Sequence, residues 1–182
     1  MKERLELSIP HSLCERAQGL VATTPEGRMA AVISWAEANV ERQEGPFAAG
    51  VFDLDTGACI SAGVNRVLSS GCSVAHAEIM ALMLAQQELS CVNLAEKGRY
   101  VLTTSAQPCS QCFGAVPWSG VVSMEFGASR EDVEAIGFDE APCPENWREL
   151  LEERNITIMG PVRQTEAAAV LQRYAQQGGN IY

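Results

Sequence analysis

The chain is predicted to be an α/β protein built on a mixed sheet with helices on both faces. Three observations carry this: an apolar period of helical spacing over residues 25–42, two short apolar segments joined by Asp55-Thr56-Gly57, and strand-like runs alternating with helix-like runs thereafter. At 182 residues, with no internal repeat or low-complexity linker, the expectation is one domain over 1–182.

Residues 1–23 show no clear period and read as an N-terminal arm. Thr24-Pro25 then has the form of a helix cap followed by proline in the first turn. Met29, Val32, Ile33, Ala36 and Val40 follow on one face, predicting an amphipathic helix over 25–42 that Gly45-Pro46 stops. Strands are expected over 47–52 and 58–64, joined as a hairpin. A loop around Ser69-Ser70-Gly71 leads to a helix over roughly 75–89. A strand at 100–104, a helix at 109–116 and a strand at 121–126 come next, with Pro117 ending that helix early. Ser129 with Asp132 three residues on resembles a capping box. A helix near 144–154, a strand near 156–159, a helix near 165–176 and a mobile tail over 178–182 complete the reading.

Composition narrows the function. Hydrophobic residues make up 47% and charged residues 20%, the balance of a soluble globular protein. The first ten residues put charges where a signal peptide needs an apolar stretch, and no apolar run is long enough to span a bilayer. A cytoplasmic protein with no membrane partner is expected. The net charge is −10, with acids crowded between Glu131 and Glu153 on what is expected to be a solvated helix face. A protein that grips nucleic acid needs Lys and Arg against phosphates, so this balance favours a small substrate and no nucleic acid.

The seven cysteines are Cys14, Cys59, Cys72, Cys91, Cys109, Cys112 and Cys143, an odd set that argues against a disulfide framework. Only Cys109 and Cys112 have metal-site spacing. Three residues apart on one helix face, they can reach one metal, and a helix N-terminus favours their thiolate forms. About thirty residues earlier stands His76-Ala77-Glu78, also at a predicted helix start. One imidazole and two thiolates give three zinc ligands and leave a fourth position for a water, whose proton Glu78 is placed to carry to a departing group. Two other readings stay open. A redox Cys-x-x-Cys usually follows the first strand of a βαβ unit, which this pair does not. Alternatively Cys72, His76, Cys109 and Cys112 would close a structural Cys3His zinc site of an interaction module with no catalytic position. His11, in the arm, is expected at the surface.

His-x-Glu followed by Pro-Cys-x-x-Cys is the pattern of zinc deaminases. With it come Gly45-Pro46-Phe47-Ala48-Ala49, Gly63-Val64-Asn65-Arg66-Val67, Thr104 to Cys112, Trp118-Ser119-Gly120-Val121 and Ile136-Gly137-Phe138-Asp139-Glu140. On these motifs the chain, from about Met29 onward, resembles the cytidine deaminase-like superfamily and, within it, the guanine deaminase branch, some of whose members accept the triazine ammeline. Gln107 departs from the branch, where Glu commonly precedes Pro-Cys. The resemblance implies a three-layer α/β/α fold around a mixed five-stranded sheet, a homodimer often with an exchanged C-terminal segment, and one Zn2+ per chain with a bound water. It also implies that His76, Cys109 and Cys112 hold the metal and that Glu78 and Glu140 move protons. Asn65, Phe47, Trp118, His76, Ala77 and Tyr182 would form the substrate pocket, Tyr182 as a closing tail. Guanosine, cytosine and tRNA adenosine deaminases share parts of the pattern and are the enzymatic alternatives.

Overall fold

The structure, a computed structural model, describes residues 3 and 5–182; positions 1, 2 and 4 of the expected arm lie outside the described residues. Its strands are β1 (Ala48–Asp53), β2 (Cys59–Val64), β3 (Tyr100–Ala106), β4 (Ser123–Ala128) and β5 (Thr157–Met159), in the sheet order β2-β1-β3-β4-β5. Its helices are α1 (His11–Ala17), α2 (Pro25–Val40), α3 (Val67–Ser70), α4 (Ala77–Glu88), α5 (Ser110–Ser119), α6 (Arg130–Glu134), α7 (Trp147–Glu152) and α8 (Gln164–Gln176).

The β1–β2 hairpin turns because the Asp53 carboxylate accepts from the N–H groups of Asp55 and Thr56, while Gly57 takes the positive φ (75°) that closes it. β1 also pairs antiparallel with β3, whereas β3, β4 and β5 are parallel to one another. Four strands therefore run one way and β1 alone runs back. The carboxyl ends of β2, β3 and β4 share one edge with the start of β1, which is where α/β sheets hold their ligands. β3 is buried along all seven residues, as the central strand should be.

Two apolar clusters cover the sheet. On one face α2 and α8 bring Met29, Val32, Ala36, Val170 and Leu171 against it; on the other α4, α5 and α7 bring Ala81, Leu82, Val116 and Leu151. The mixed five-stranded sheet and its three layers are as expected. α2 starts as its sequence predicts: the Thr24 hydroxyl accepts from Gly27 N–H at 3.1 Å, and Pro25 occupies the first turn. Arg28 on α2 reaches β4, where its Nε and Nη2 meet the Glu125 carboxylate at 3.0 and 2.5 Å; Thr103 of β3 donates to the same carboxylate at 2.8 Å. Both charges are buried, so each depends on the other.

Several expectations need correction. The N-terminal arm contains α1, a seven-residue helix that buries only Leu13 and Ala17, too little to register as a period. The arm then runs beside the hairpin, with Leu20 C=O accepting from Cys59 N–H and Ala22 N–H donating to Gly57. The loop before Gly71 is the single turn α3. Pro117 does not end its helix: α5 continues to Ser119 and stops at Gly120, whose φ of 81° suits only the residue type found there. β4 starts two residues later than expected, since Val121 and Val122 connect the helix cap to the strand. The tail is not loose. Tyr174 Oη donates to Asn180 C=O at 2.6 Å, and the Tyr182 ring meets Phe138 edge-on at 5.2 Å. It packs on its own chain. The acidic stretch is mostly exposed, but much of it is loop between α6 and α7 instead of one helix face. Among the described residues, no helix is long and apolar enough to cross a membrane.

Candidate active site

His76 is the N-cap of α4, following the loop after β2; Cys109 is the N-cap of α5, following β3. Both caps have extended backbone, which turns their side chains off the helix and towards each other across the sheet edge. Cys112, one turn into α5, is fully buried beneath them. His76 Nδ1 lies 3.4 Å from Cys109 Sγ and 3.6 Å from Cys112 Sγ, and all three ligand atoms fall within 4.8 Å of one another. Tetrahedral zinc with Zn–S of about 2.3 Å and Zn–N of about 2.05 Å requires N and S to stand about 3.6 Å apart. The donor set fits zinc in type and in spacing. Cys72 is not in this group; its thiol faces the Ser70 carbonyl at 3.6 Å, which removes the Cys3His alternative.

The protonation pattern follows from crowding. The hydrogen bond from Cys112 holds the Cys109 thiol down to about 4, with His76 adding to the effect, while Cys112 is pushed well above the ordinary thiol range by that same bond, by burial and by Glu78. Burial opposes the His76 imidazolium, but Cys109 and Glu78 outweigh it and raise His76. Glu78, in the first turn of α4, is 7% exposed, and burial followed by repulsion from Cys109 raises its carboxyl. Glu140 is pushed up to about 8, chiefly by burial and then by Cys109 and Glu78.

A cavity of about 290 Å³ opens beside these groups. Its lining joins His76, Glu78, Cys109 and Glu140 with Phe47, Asn65 and Tyr182. Asn65 is 2% exposed and held on three sides: its N–H donates to Phe47 C=O, its C=O accepts from Asn39 Nδ2, and its Oδ1 accepts from Val67 N–H at 3.1 Å. Its Nδ2 is the side-chain group left for a ligand. Gly45 matters here because a Cβ on it would stand 2.0 Å from Tyr182 Oη; the missing side chain makes room for that hydroxyl.

Two expected pocket residues lie elsewhere. Trp118, at the far end of α5, is 80% exposed and outside the cavity, because Cys112, Val116 and Ser119 take the inward face of that helix. The Ala77 side chain is buried under β2, where its carbonyl lies 2.2 Å from where a Gly63 Cβ would be, so it packs the fold and does not line the cavity. His11 is exposed, paired with Glu15 at 3.5 Å. Conversely, Phe138 lines the cavity and meets Phe47 edge-on at 5.1 Å. Sequence reasoning assigned it no role, although it lies two residues before Glu140. Ser110 also lines the cavity, from within the Cys-x-x-Cys turn.

The sequence profile of the cytidine and deoxycytidylate deaminase zinc-binding region matches residues 22–128. Guanine deaminase of Bacillus subtilis (strain 168) is 33% identical over 112 residues, 62% of this chain and 69% of that one. The solved guanine deaminase of Nitrosomonas europaea is 45% identical, with a TM-score of 0.92 over 97% of this chain and 98% of its own. A solved complex with 2,6-diaminopurine is 46% identical and superposes with a TM-score of 0.94 over 100% of this chain and 98% of the other. The converging imidazole and thiolates, the buried carboxylate beside them and the matched profile lead to one conclusion: this chain belongs to the cytidine and deoxycytidylate deaminase family of zinc-dependent hydrolytic deaminases.

Proposed function

We propose that this chain converts guanine and water to xanthine and ammonia. The observation that carries the reading is the cavity itself: one lining brings together His76, Cys109 and Glu78, the edge-to-face pair Phe47 and Phe138, and Asn65. A flat base packs against an apolar aromatic wall, and a fixed N–H donor suits an acceptor on a purine edge. The high identity to a guanine deaminase over nearly the whole chain, and to a protein that binds 2,6-diaminopurine, supports the same substrate class.

His76, Cys109 and Cys112 would hold the metal, and bound zinc supplies a water acidic enough to act as nucleophile near neutral pH. Glu78 takes the proton of that water and returns it to the substrate. Its burial suits the task, because raising the carboxyl makes it a stronger base for the proton it must take. Glu140, held up to about 8 by burial, is mostly protonated at neutral pH and donates towards the leaving amine. Asn65 orients the base, the Phe47 and Phe138 rings give it an apolar wall, and Tyr182 closes the pocket.

Tyr182 Oη against Gly45 and Asn65 leaves little space for a ribose, which favours the free base over guanosine. A net charge of −10 disfavours a tRNA substrate. Ammeline, whose amino-substituted ring presents a similar edge, fits the same pocket as a second substrate. We further read the protein as a cytoplasmic homodimer of single-domain chains, each carrying one zinc; the exposed Trp118 and Val92 offer apolar surface to a second copy. The test is ammonia release by zinc-verified protein from guanine, ammeline, guanosine, cytosine and adenine in parallel. Guanine is expected to be the preferred substrate; preference for any other would move the pocket assignment.

A further inference from the structure

The segment that carries Glu140 has no regular secondary structure of its own, running from Phe138 to Pro144 between α6 and α7. A loop of this kind ordinarily moves, yet three of its consecutive carbonyls are tied down from outside. Ser110 Oγ donates to Pro142 C=O at 2.6 Å and lies 3.4 Å from Glu140 C=O, which also accepts from Ser110 N–H at 3.4 Å. Arg130 Nη2 donates to Ala141 C=O at 2.7 Å, while its Nε is fixed by Glu134 at 2.6 Å. Between these ties Ala141 is held at φ 54°, a conformation an alanine adopts only under constraint, with its N–H taken by Asp139 Oδ1 at 2.8 Å.

Ser110 is the residue after Cys109, inside the metal-binding turn. The same turn that presents the ligands therefore grips the backbone of Glu140. We propose that Ser110 and Arg130 are positioning residues for the deamination, acting together as a clamp that fixes Glu140 relative to the Cys109–Cys112 turn. The inference rests on the proton-donating role given to Glu140 above. It assigns these two side chains a reason beyond folding. Ser110 makes its principal bond to a loop 32 residues away, and Arg130 makes its own to one 11 residues away. Both bonds converge on the residues flanking one carboxylate. A displaced proton donor costs rate much more than binding, because the substrate's other contacts remain.

The experiment is a double-mutant cycle. Ser110→Ala and Arg130→Gln are made in the native chain and in Glu140→Gln, and zinc content, melting temperature, kcat and KM for guanine are read for each. In the native chain each is expected to lower kcat by roughly tenfold or more, with KM and zinc content nearly unchanged. In the Glu140→Gln background the same changes should cost less than about twofold, since the group they position is already disabled. Ser110→Thr, which keeps the hydroxyl, should restore most of the rate. Losses that multiply fully with Glu140→Gln would overturn the clamp, as would loss of zinc from Ser110→Ala or native kcat in both single variants. Wild-type turnover by Glu140→Gln alone is a different result: it removes the donor role itself, and the clamp falls with it.

Discussion

Gly45→Ala tests the closing role of the tail with a single methyl group. A Cβ at this position would stand 2.0 Å from Tyr182 Oη and 3.1 Å from the Asn65 side-chain Cγ and Oδ1. Since non-bonded carbon contacts settle near about 3.5–4.0 Å, the tyrosine must retreat by more than an ångström. Asn65, tied to Val67 and through its backbone to Asn39, need give only a few tenths. Withdrawing Tyr182 sacrifices its edge contact with Phe138, worth about 0.5–1.5 kcal/mol. If that contact is part of the closed pocket, the same energy appears in binding as a two- to twelvefold rise in KM, roughly, at nearly constant kcat. The assay is steady-state xanthine formation over a range of guanine concentrations, with Tyr182→Phe and the double variant alongside. Removing Oη takes away the atom that collides, so Gly45→Ala/Tyr182→Phe should recover a KM close to that of Tyr182→Phe. A native KM in Gly45→Ala would refute the closing role. A double variant no better than Gly45→Ala would place the damage at Asn65.

Cys72→Ser should leave zinc content and turnover unchanged by metal analysis and activity, because the thiol faces the Ser70 carbonyl and not the ligand group. Arg28→Met strands the buried Glu125 carboxylate and should cost about 3–5 kcal/mol in chemical denaturation, a loss that a similar apolar replacement on the exposed Arg99–Asp55 pair would not produce. Zinc binding should release protons. In the metal-free site Cys109 is already a thiolate at neutral pH, whereas Cys112, raised well above the ordinary thiol range, keeps its proton; His76 is raised as well. Falling pH fills these groups further, so affinity must drop with pH; titration calorimetry in buffers of different ionisation enthalpy should find about one proton or more displaced per zinc at pH 7.

Local chemistry was legible in the sequence. Cys109 and Cys112 share a helix turn, and His76 and Glu78 share another, so spacing alone set each pair. The sequence pattern also put each pair at the start of a helix, where the structure has them. What it could not convey was long-range. Phe138 joins the pocket only because the loop after α6 folds back over Phe47, 91 positions earlier in the chain. Trp118 looked like a pocket residue by motif, yet helical phase turns it to the surface. α1 buries two side chains and leaves almost no periodic trace. Tail order depends on Gly45, a residue that reads locally as a helix stop and whose space is used by the far end of the chain. Pro117 showed the reverse error, a strong local signal overruled: the helix runs on to Ser119 and ends at the left-handed Gly120.

The most direct test compares the native chain with Glu78→Gln at equal, verified zinc content, following the conversion of guanine to xanthine by absorbance. Glutamine keeps the size of the buried side chain but cannot carry a proton, and it also relieves the burial that raises the Glu78 carboxyl. Folded stability is therefore expected to hold or rise at neutral pH, while kcat falls by at least about 10²–10⁴-fold, the usual worth of a positioned acid–base group. Substantial turnover by Glu78→Gln with zinc in place would contradict the account, and loss of zinc would show that Glu78 serves the metal instead of the proton.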